Sequence, residues 1–465
     1  MYKKVILICS FVCLCISIQS IAQSVKTNLY VTAKSCDYLQ DRVCGGPHIV
    51  EITQEFVLEQ FSTDTLFLKL DKPNWTQSFA YRQLYPKLTV EIISKNEKQS
   101  VESNFNGFTL SVPLPTSSCT VKLNYFYNSD SETRFPSGYY LWACEYSKHS
   151  WYFSSSDMQI EKAEFYNSDD SLIYLFVNAP SFRQNGKIIL DMESMGNRNI
   201  NFFLVHRPFV HKTTCILYAD TINIYLDKGE ITTPNPKGSI NNNTVLPGNR
   251  VTQALVDTSK TIIEQTFKKI NTIFPTLQGA VIDIFDADLS AGNYAWGTAS
   301  SDIKNNHHMV LIDTSMWHDH FLTHELIHLY NNVPLIENDS TYYFFSESVT
   351  EYLAVYIHYG DKRVRDLVFN QKIIKFARGQ NEDYSIFKLS LNSWERNTSL
   401  VVYDKTPFII HTLAQMVGED KFHAALKQFY AKVAKGMEIN LPNFEQTLKE
   451  NEVTDSQWNW FIRNL

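Results

Sequence analysis

The stretch His324-Glu325-Leu326-Ile327-His328, followed after eighteen intervening residues by Glu347, constrains the fold of this chain more than any other feature. Residues four apart on a helix lie on one face. His324 and His328 can therefore offer two imidazole nitrogens to a single Zn²⁺. Glu347 can supply an anionic oxygen only if a second helix packs beside the first. A catalytic zinc site takes three protein ligands and leaves one position open. Glu325 faces the same cleft, where a carboxylate can take a proton from water and pass it on. The expected site is one Zn²⁺ per chain on His324, His328 and Glu347, with Glu325 as general base.

Neighbouring residues sort by distance. His320 continues the stripe of His324 and His328. The eight residues from His320 to His328 rise about 12 Å, whereas ligand atoms ~2.1 Å from one ion lie within about 4 Å of each other. His320 is therefore expected to be a polar residue near the helix start. Glu351 lies four residues after Glu347, on the same helix face. Metal-bound imidazoles usually donate their other ring nitrogen to a carboxylate or carbonyl. Glu351 is the candidate to orient His324 in this way.

The rest of the chain bounds the setting. At 465 residues it suits two domains. Hydrophobic content of 44%, charged content of 20% and a formal charge of −7 are ordinary for a globular protein. No basic run stands out, which argues against nucleic acid as a partner. Residues 1–22 read as a signal peptide. Lys3 and Lys4 precede an apolar run from Val5 to Ile18, and Ser20-Ile21-Ala22 resembles a cleavage site. The mature chain would begin at Gln23, exported to the periplasm or beyond, with no transmembrane span. Cys36, Cys44, Cys119, Cys144 and Cys215 would remain, with Cys36 and Cys44 closest in sequence and the pairing otherwise open. All five precede residue 216, so the C-terminal half offers zinc no thiolate. The oligomeric state is not readable.

Residues 23–231 read as a β-rich domain. Segments 65–70, 87–93 and 119–125 roughly alternate in polarity, while 171–177 and 187–190 are more continuously apolar. Residues 232–249 are rich in Thr, Asn, Pro and Gly and read as a linker. The period then becomes helical from Leu255 to Phe274, with strands expected at 280–285 and 309–312. Asp313 or Thr314 is expected to cap the metal helix, which would run to about Tyr330. Further helices are expected at about 345–359, 362–378, 406–417 and 419–434. Residues 250–465 thus form the second domain. The fold class is α+β: an N-terminal antiparallel β-sheet domain followed by a mainly helical domain.

The motifs together resemble a known family. The run Phe344-Phe345-Ser346-Glu347-Ser348-Val349-Thr350-Glu351-Tyr352 looks like the W-L-N-E-G-F-A-x-Y segment of the aminopeptidase N family of zinc metallopeptidases. That family belongs to the gluzincins, with H-E-x-x-H, eighteen residues and a glutamate ligand, on a thermolysin-like catalytic domain. Val402-Tyr403-Asp404-Lys405-Thr406 resembles the family's Y-E-K-G, whose tyrosine stabilises the oxyanion of the tetrahedral intermediate. The resemblance therefore implies catalytic roles for Glu325 and Tyr403.

Two departures matter. The family's G-x-M-E-N, whose glutamate holds the substrate's free α-amino group, corresponds here to residues 292–300, which contain no acid. The family's long helical C-terminal domain has no counterpart before Leu465, which implies a more open cleft. The expected function is a secreted or periplasmic zinc metallopeptidase that hydrolyses peptide bonds with a zinc-activated water in an aminopeptidase-like manner. Endopeptidase action, or peptide or glycan binding without turnover, is the alternative. Strand 309–312 is expected to align a substrate backbone by edge pairing.

Overall fold

The computed structural model describes residues 25–35, 48–70, 88–94, 97–101, 104–105, 109–127, 140–143, 151–155, 158–195, 200–228, 230–233, 244–286, 298–302, 306–331, 341–379, 384–389 and 396–465. The expected signal peptide, together with Cys36, Cys44 and Cys144, lies outside them. Among the described residues, Cys119 and Cys215 are free thiols.

Alternating polarity in the first half becomes sheet. An eight-stranded sheet runs in the order Ser181–Gln184, Lys187–Leu190, Met158–Asn167, Val25–Ser35, His48–Leu58, Cys119–Tyr127, Thr89–Ser94, Glu97–Ser100. Its neighbours are antiparallel except Val25–Ser35 with Met158–Asn167, which run parallel. Leu29, Val31 and Ala33 are buried while their sequence neighbours are half-exposed, the period-two pattern of a sheet with one covered face. Trp151, Tyr152 and Phe153 fill the core beneath. A separate three-stranded sheet, Ile173–Asn178, Asn201–His206 and Tyr140–Ala143, leads toward the second half.

The second half is built on a five-stranded sheet, in the order Val210–Leu217, Asp220–Asp227, Val281–Asp286, His307–Ile312, Thr298–Asp302. The first two strands, which the sequence assigns to the β-rich half, instead hydrogen-bond into this sheet: Asp220–Asp227 runs parallel to Val281–Asp286. Strand periodicity identifies a strand but not the sheet it joins, so these two strands, read with the β-rich half, join a sheet whose other strands follow residue 250. Part of the expected linker forms strands. Glu230–Thr233 pairs antiparallel with Thr244–Pro247, and residues 234–243 lie outside the described set. His307–Ile312 is internal, with a partner on each side. Among the described residues the edge strands of this sheet are Val210–Leu217 and Thr298–Asp302, so the edge pairing expected of 309–312 is not open to that strand.

Among the described residues this half has eight longer helices, of which the first two pack on the sheet: α1 Gln253–Ile270, α2 His320–His328, α3 Val349–His358, α4 Lys362–Gly379, α5 Thr406–Val417, α6 Glu419–Val433, α7 Leu441–Glu450 and α8 Asp455–Asn464. The last two were not foreseen from the sequence. Their turn-separated patterns are short, and each relies on a cap: Asn440 accepts from Asn443 N–H, and Thr454 forms a capping box with Gln457. Helix α2 is shorter than expected because Thr314–Met316 makes a separate 3₁₀ turn. The cap is Asp319, whose Oδ1 accepts from His320 N–H at 2.6 Å, not Asp313 or Thr314. None of the helices is long and apolar enough to cross a membrane, among the described residues.

Aromatic packing joins the halves. Phe285 of the five-stranded sheet stacks on Tyr225 at 4.3 Å between centroids, and meets Phe176 at 4.9 Å and Phe203 at 5.0 Å edge-on. Phe176 and Phe203 come from the three-stranded sheet, so this fully buried ring sits on the seam. Phe285→Ala is expected to destabilise the protein by about 3–5 kcal/mol, read as a lowered urea midpoint. An unchanged midpoint would show that the seam carries little of the stability.

Candidate metal centre

Two irregular helix entries build the site. Residues Phe344–Ser348 form a single π turn that runs straight into α3, with Val349 N–H bonded to Phe344 O. Residues Val401–Lys405 form a second π turn running into α5, with Thr406 N–H bonded to Val401 O. One turn carries Glu347 and the other carries Tyr403. Such turns insert a residue into the helical register and re-aim the side chains around it. The two turns touch: Ser348 Oγ donates to Val402 O at 2.7 Å. Helix α2 lies against α3, and Leu322, Leu326 and Ile327 root it in the core.

These elements bring His324, His328 and Glu347 together. One ligand atom from each lies within 4.8 Å of the others. Glu347 Oε2 is 3.5 Å from His324 Nε2 and 3.8 Å from His328 Nε2. Donors about 2.1 Å from one tetrahedral ion would be roughly 3.4 Å apart. Two neutral nitrogens and one carboxylate at this spacing therefore fit a zinc ion. His328 and Glu347 each keep 19% of their side chain exposed, whereas His324 keeps 6%, so the centre opens on the His328–Glu347 side.

Glu351 lies behind the centre. Its Oε2 accepts from His324 Nδ1 at 2.8 Å, which turns His324 Nε2 toward the other two donors. Its Oε1 accepts from His320 Nε2 at 3.0 Å and from Lys372 Nζ at 2.5 Å. His320 Nδ1 in turn donates to Asp319 Oδ1 at 2.7 Å, and Tyr359 OH donates to the same oxygen at 2.8 Å. His320 is thus at the helix start, as its position suggests, but it also belongs to the network. Asp319, His320 and Lys372 were missed as site residues. His320 could have been found by its i,i+4 relation to His324, but Lys372 looks in sequence like any solvated helix lysine.

The electrostatics describe a socket that wants positive charge. Burial opposes ionisation of Glu347, yet His328, His324 and the Tyr403 hydroxyl hold its carboxyl down at about 2. Burial disfavours charge on His324, but hydrogen bonds to Glu347 and Glu351 push it up to about 10. Burial takes His328 down to about 4. Burial pushes Glu325 up to about 7; His324 opposes the shift, and Glu347 and Glu351 add to it. Tyr403 OH donates to Glu347 Oε2 at 2.8 Å, and burial followed by that carboxylate keeps the phenol protonated.

A second group, Asp366, His411 and Glu419, also converges. Its donors are already engaged: His411 Nε2 is 3.0 Å from Asp366 Oδ1, and the Arg365 guanidinium is 2.7 Å from Glu419 Oε2. The segment at 292–297, which lacks the family's amine-holding acid, lies outside the described residues.

Known structures share this architecture. An aminopeptidase N family protein from Idiomarina loihiensis is 14% identical, with 89% of this chain and 71% of that chain covered at a TM-score of 0.54. The fold is similar to theirs in yeast LTA4 hydrolase as well, at 13% identity, 95% and 66% coverage and a TM-score of 0.50. An M1 zinc metallopeptidase from Deinococcus radiodurans aligns over 95% of this chain and 93% of its own, at 10% identity and a TM-score of 0.48. At these identities the likeness speaks to the fold alone. No family model matches the chain, and no curated protein matches it in sequence.

Glu351→Ala is expected to weaken zinc binding about 10- to 100-fold, measured by chelator competition. Unchanged affinity would remove Glu351 from the set that orients the ligands.

Proposed function

We propose that this chain is an exported zinc-dependent metallopeptidase that hydrolyses peptide bonds in an aminopeptidase-like manner. The observation that carries the reading is the convergence of His324, His328 and Glu347 at ion-binding distances, with Glu325 and Tyr403 beside them. The similarity in fold to an aminopeptidase N family protein supports it. The charged and then apolar start of the chain supports export.

His324, His328 and Glu347 would hold a zinc ion, which would supply Lewis-acid chemistry at the scissile carbonyl and the attacking water. Glu325, on the same helix as both imidazoles, takes the proton from the attacking water and delivers it to the leaving amine. Its raised affinity for a proton suits a group that must both accept and release one. Tyr403 stays protonated and donates to the oxygen that becomes negative as the carbonyl carbon turns tetrahedral. Its hydroxyl leaves Glu347 to do so. Glu351 keeps His324 facing inward. The free edge of Thr298–Asp302 offers backbone groups to an extended peptide.

Endopeptidase action is the second reading, favoured by the absence of any acid in residues 292–300. Zinc-loaded protein incubated with a mixed peptide library and read by mass spectrometry separates the two. Trimmed N-termini mark an aminopeptidase, internal cuts an endopeptidase, and an untouched library overturns the enzyme reading. Glu325→Gln is expected to retain zinc and lose at least about 100-fold in kcat. Tyr403→Phe should cost about 100- to 1,000-fold in kcat with little change in KM. Full activity in either variant would remove that residue from the mechanism.

A further inference from the structure

Helix α4 contains no expected site residue, yet it sends one side chain into the centre. Arg365 and Phe369 are its buried residues, and Lys372 follows on the same face. The Lys372 side chain is 13% exposed. Its ammonium makes two contacts on different elements. It donates to Glu351 Oε1 on α3 at 2.5 Å, and to the backbone carbonyl of Tyr403 in the second π turn at 3.0 Å.

The first contact could be simple charge balance, because a buried carboxylate needs a cation or donors. Glu351 already has donors in His320 and His324. The second contact is not charge balance, because a peptide carbonyl carries no net charge. A neighbouring lysine shows the contrast. Lys375 lies 2.9 Å from Asp404 but is 66% exposed, so solvent screens that pair. Only Lys372, of these two, reaches both the carboxylate behind His324 and the backbone that carries the Tyr403 ring. The π turn makes this useful, since its wider backbone has to be held in place by something outside the helix.

We propose that Lys372 is a positioning residue: its ammonium ties the Glu351 carboxylate to the Tyr403 backbone, so that the His324 ring and the Tyr403 hydroxyl keep one fixed spacing. The proposal rests on the peptidase reading for its effect on turnover, but not for its effect on the metal centre. Lys372 touches neither substrate nor ion and acts through these two partners.

The test uses the full chain as wild type, Lys372→Met and Lys372→Arg, each loaded with zinc for kinetics and with cobalt(II) for spectroscopy. Folding is checked by circular dichroism. Folded Lys372→Met is expected to bind zinc about tenfold more weakly by chelator competition. Its cobalt visible bands should shift, which a residue serving only to support the fold would not cause. Its kcat should fall about tenfold or more while KM stays within about threefold. Lys372→Arg should recover part of each loss, because its guanidinium can still donate to both oxygens. Should Lys372→Met fail to fold, Lys372→Gln replaces it with the same expected directions. A folded variant with the wild-type cobalt spectrum, zinc affinity and kcat overturns the proposal. If the wild type cleaves nothing in the peptide library, the peptidase reading fails by itself, and the cobalt spectrum and zinc affinity still decide whether Lys372 positions the centre.

Discussion

Three carboxylates, Glu325 and Glu351 buried and Glu347 partly so, crowd one small volume in the second half of this protein. Like charges this close and this dry are tolerable only when donors and cations are brought in with them. Each carboxylate meets the demand differently. Glu351 is saturated by His320, His324 and Lys372, which makes it rigid. Glu347 is met by imidazoles and a phenol, and its partial exposure leaves room for an ion. Burial raises the proton affinity of Glu325, which the proposed mechanism uses for proton exchange. One environment thus gives three similar side chains three different settings, which the proposed mechanism reads as an anchor, a ligand and a base.

That division depends on backbone shape. Glu347 and Tyr403 each stand in a π turn, and the two turns are bonded through Ser348 and Val402. A regular helix at either place would carry the functional side chain to another face. The core around them is densely aromatic, with Phe344, Phe345, Phe429, Phe444 and Phe461 in contact, so the turns rest on a stiff support.

Much of this was legible in the residue pattern, for reasons that differ by element. The helical spacing of His324 and His328 is a local property, and the structure places both on α2 with Glu347 beside them. Strands 65–70 and 119–125 were visible because their alternation matches a one-sided sheet. Sheet membership was not visible: Val210–Leu217 pairs with its neighbour Asp220–Asp227, but the next strand of the sheet, Val281–Asp286, lies about 60 residues further on. The internal place of His307–Ile312 was hidden for the same reason. The π turns were hidden because no residue type announces them. Lys372 was hidden because its two partners are distant in sequence and one of them is backbone.

The spacing between His328 and Glu347 takes on a different meaning once the first π turn is recognised. Those eighteen residues are ordinarily counted as loop length, yet the last of them, together with Glu347, belong to an over-wide turn of helix. Removing a single amino acid from 344–348 would let the segment relax to regular winding and swing the carboxylate by about 100° around the axis. Tolerance to insertions and deletions should therefore be low across 344–348, where the winding of the backbone decides which way a side chain is aimed.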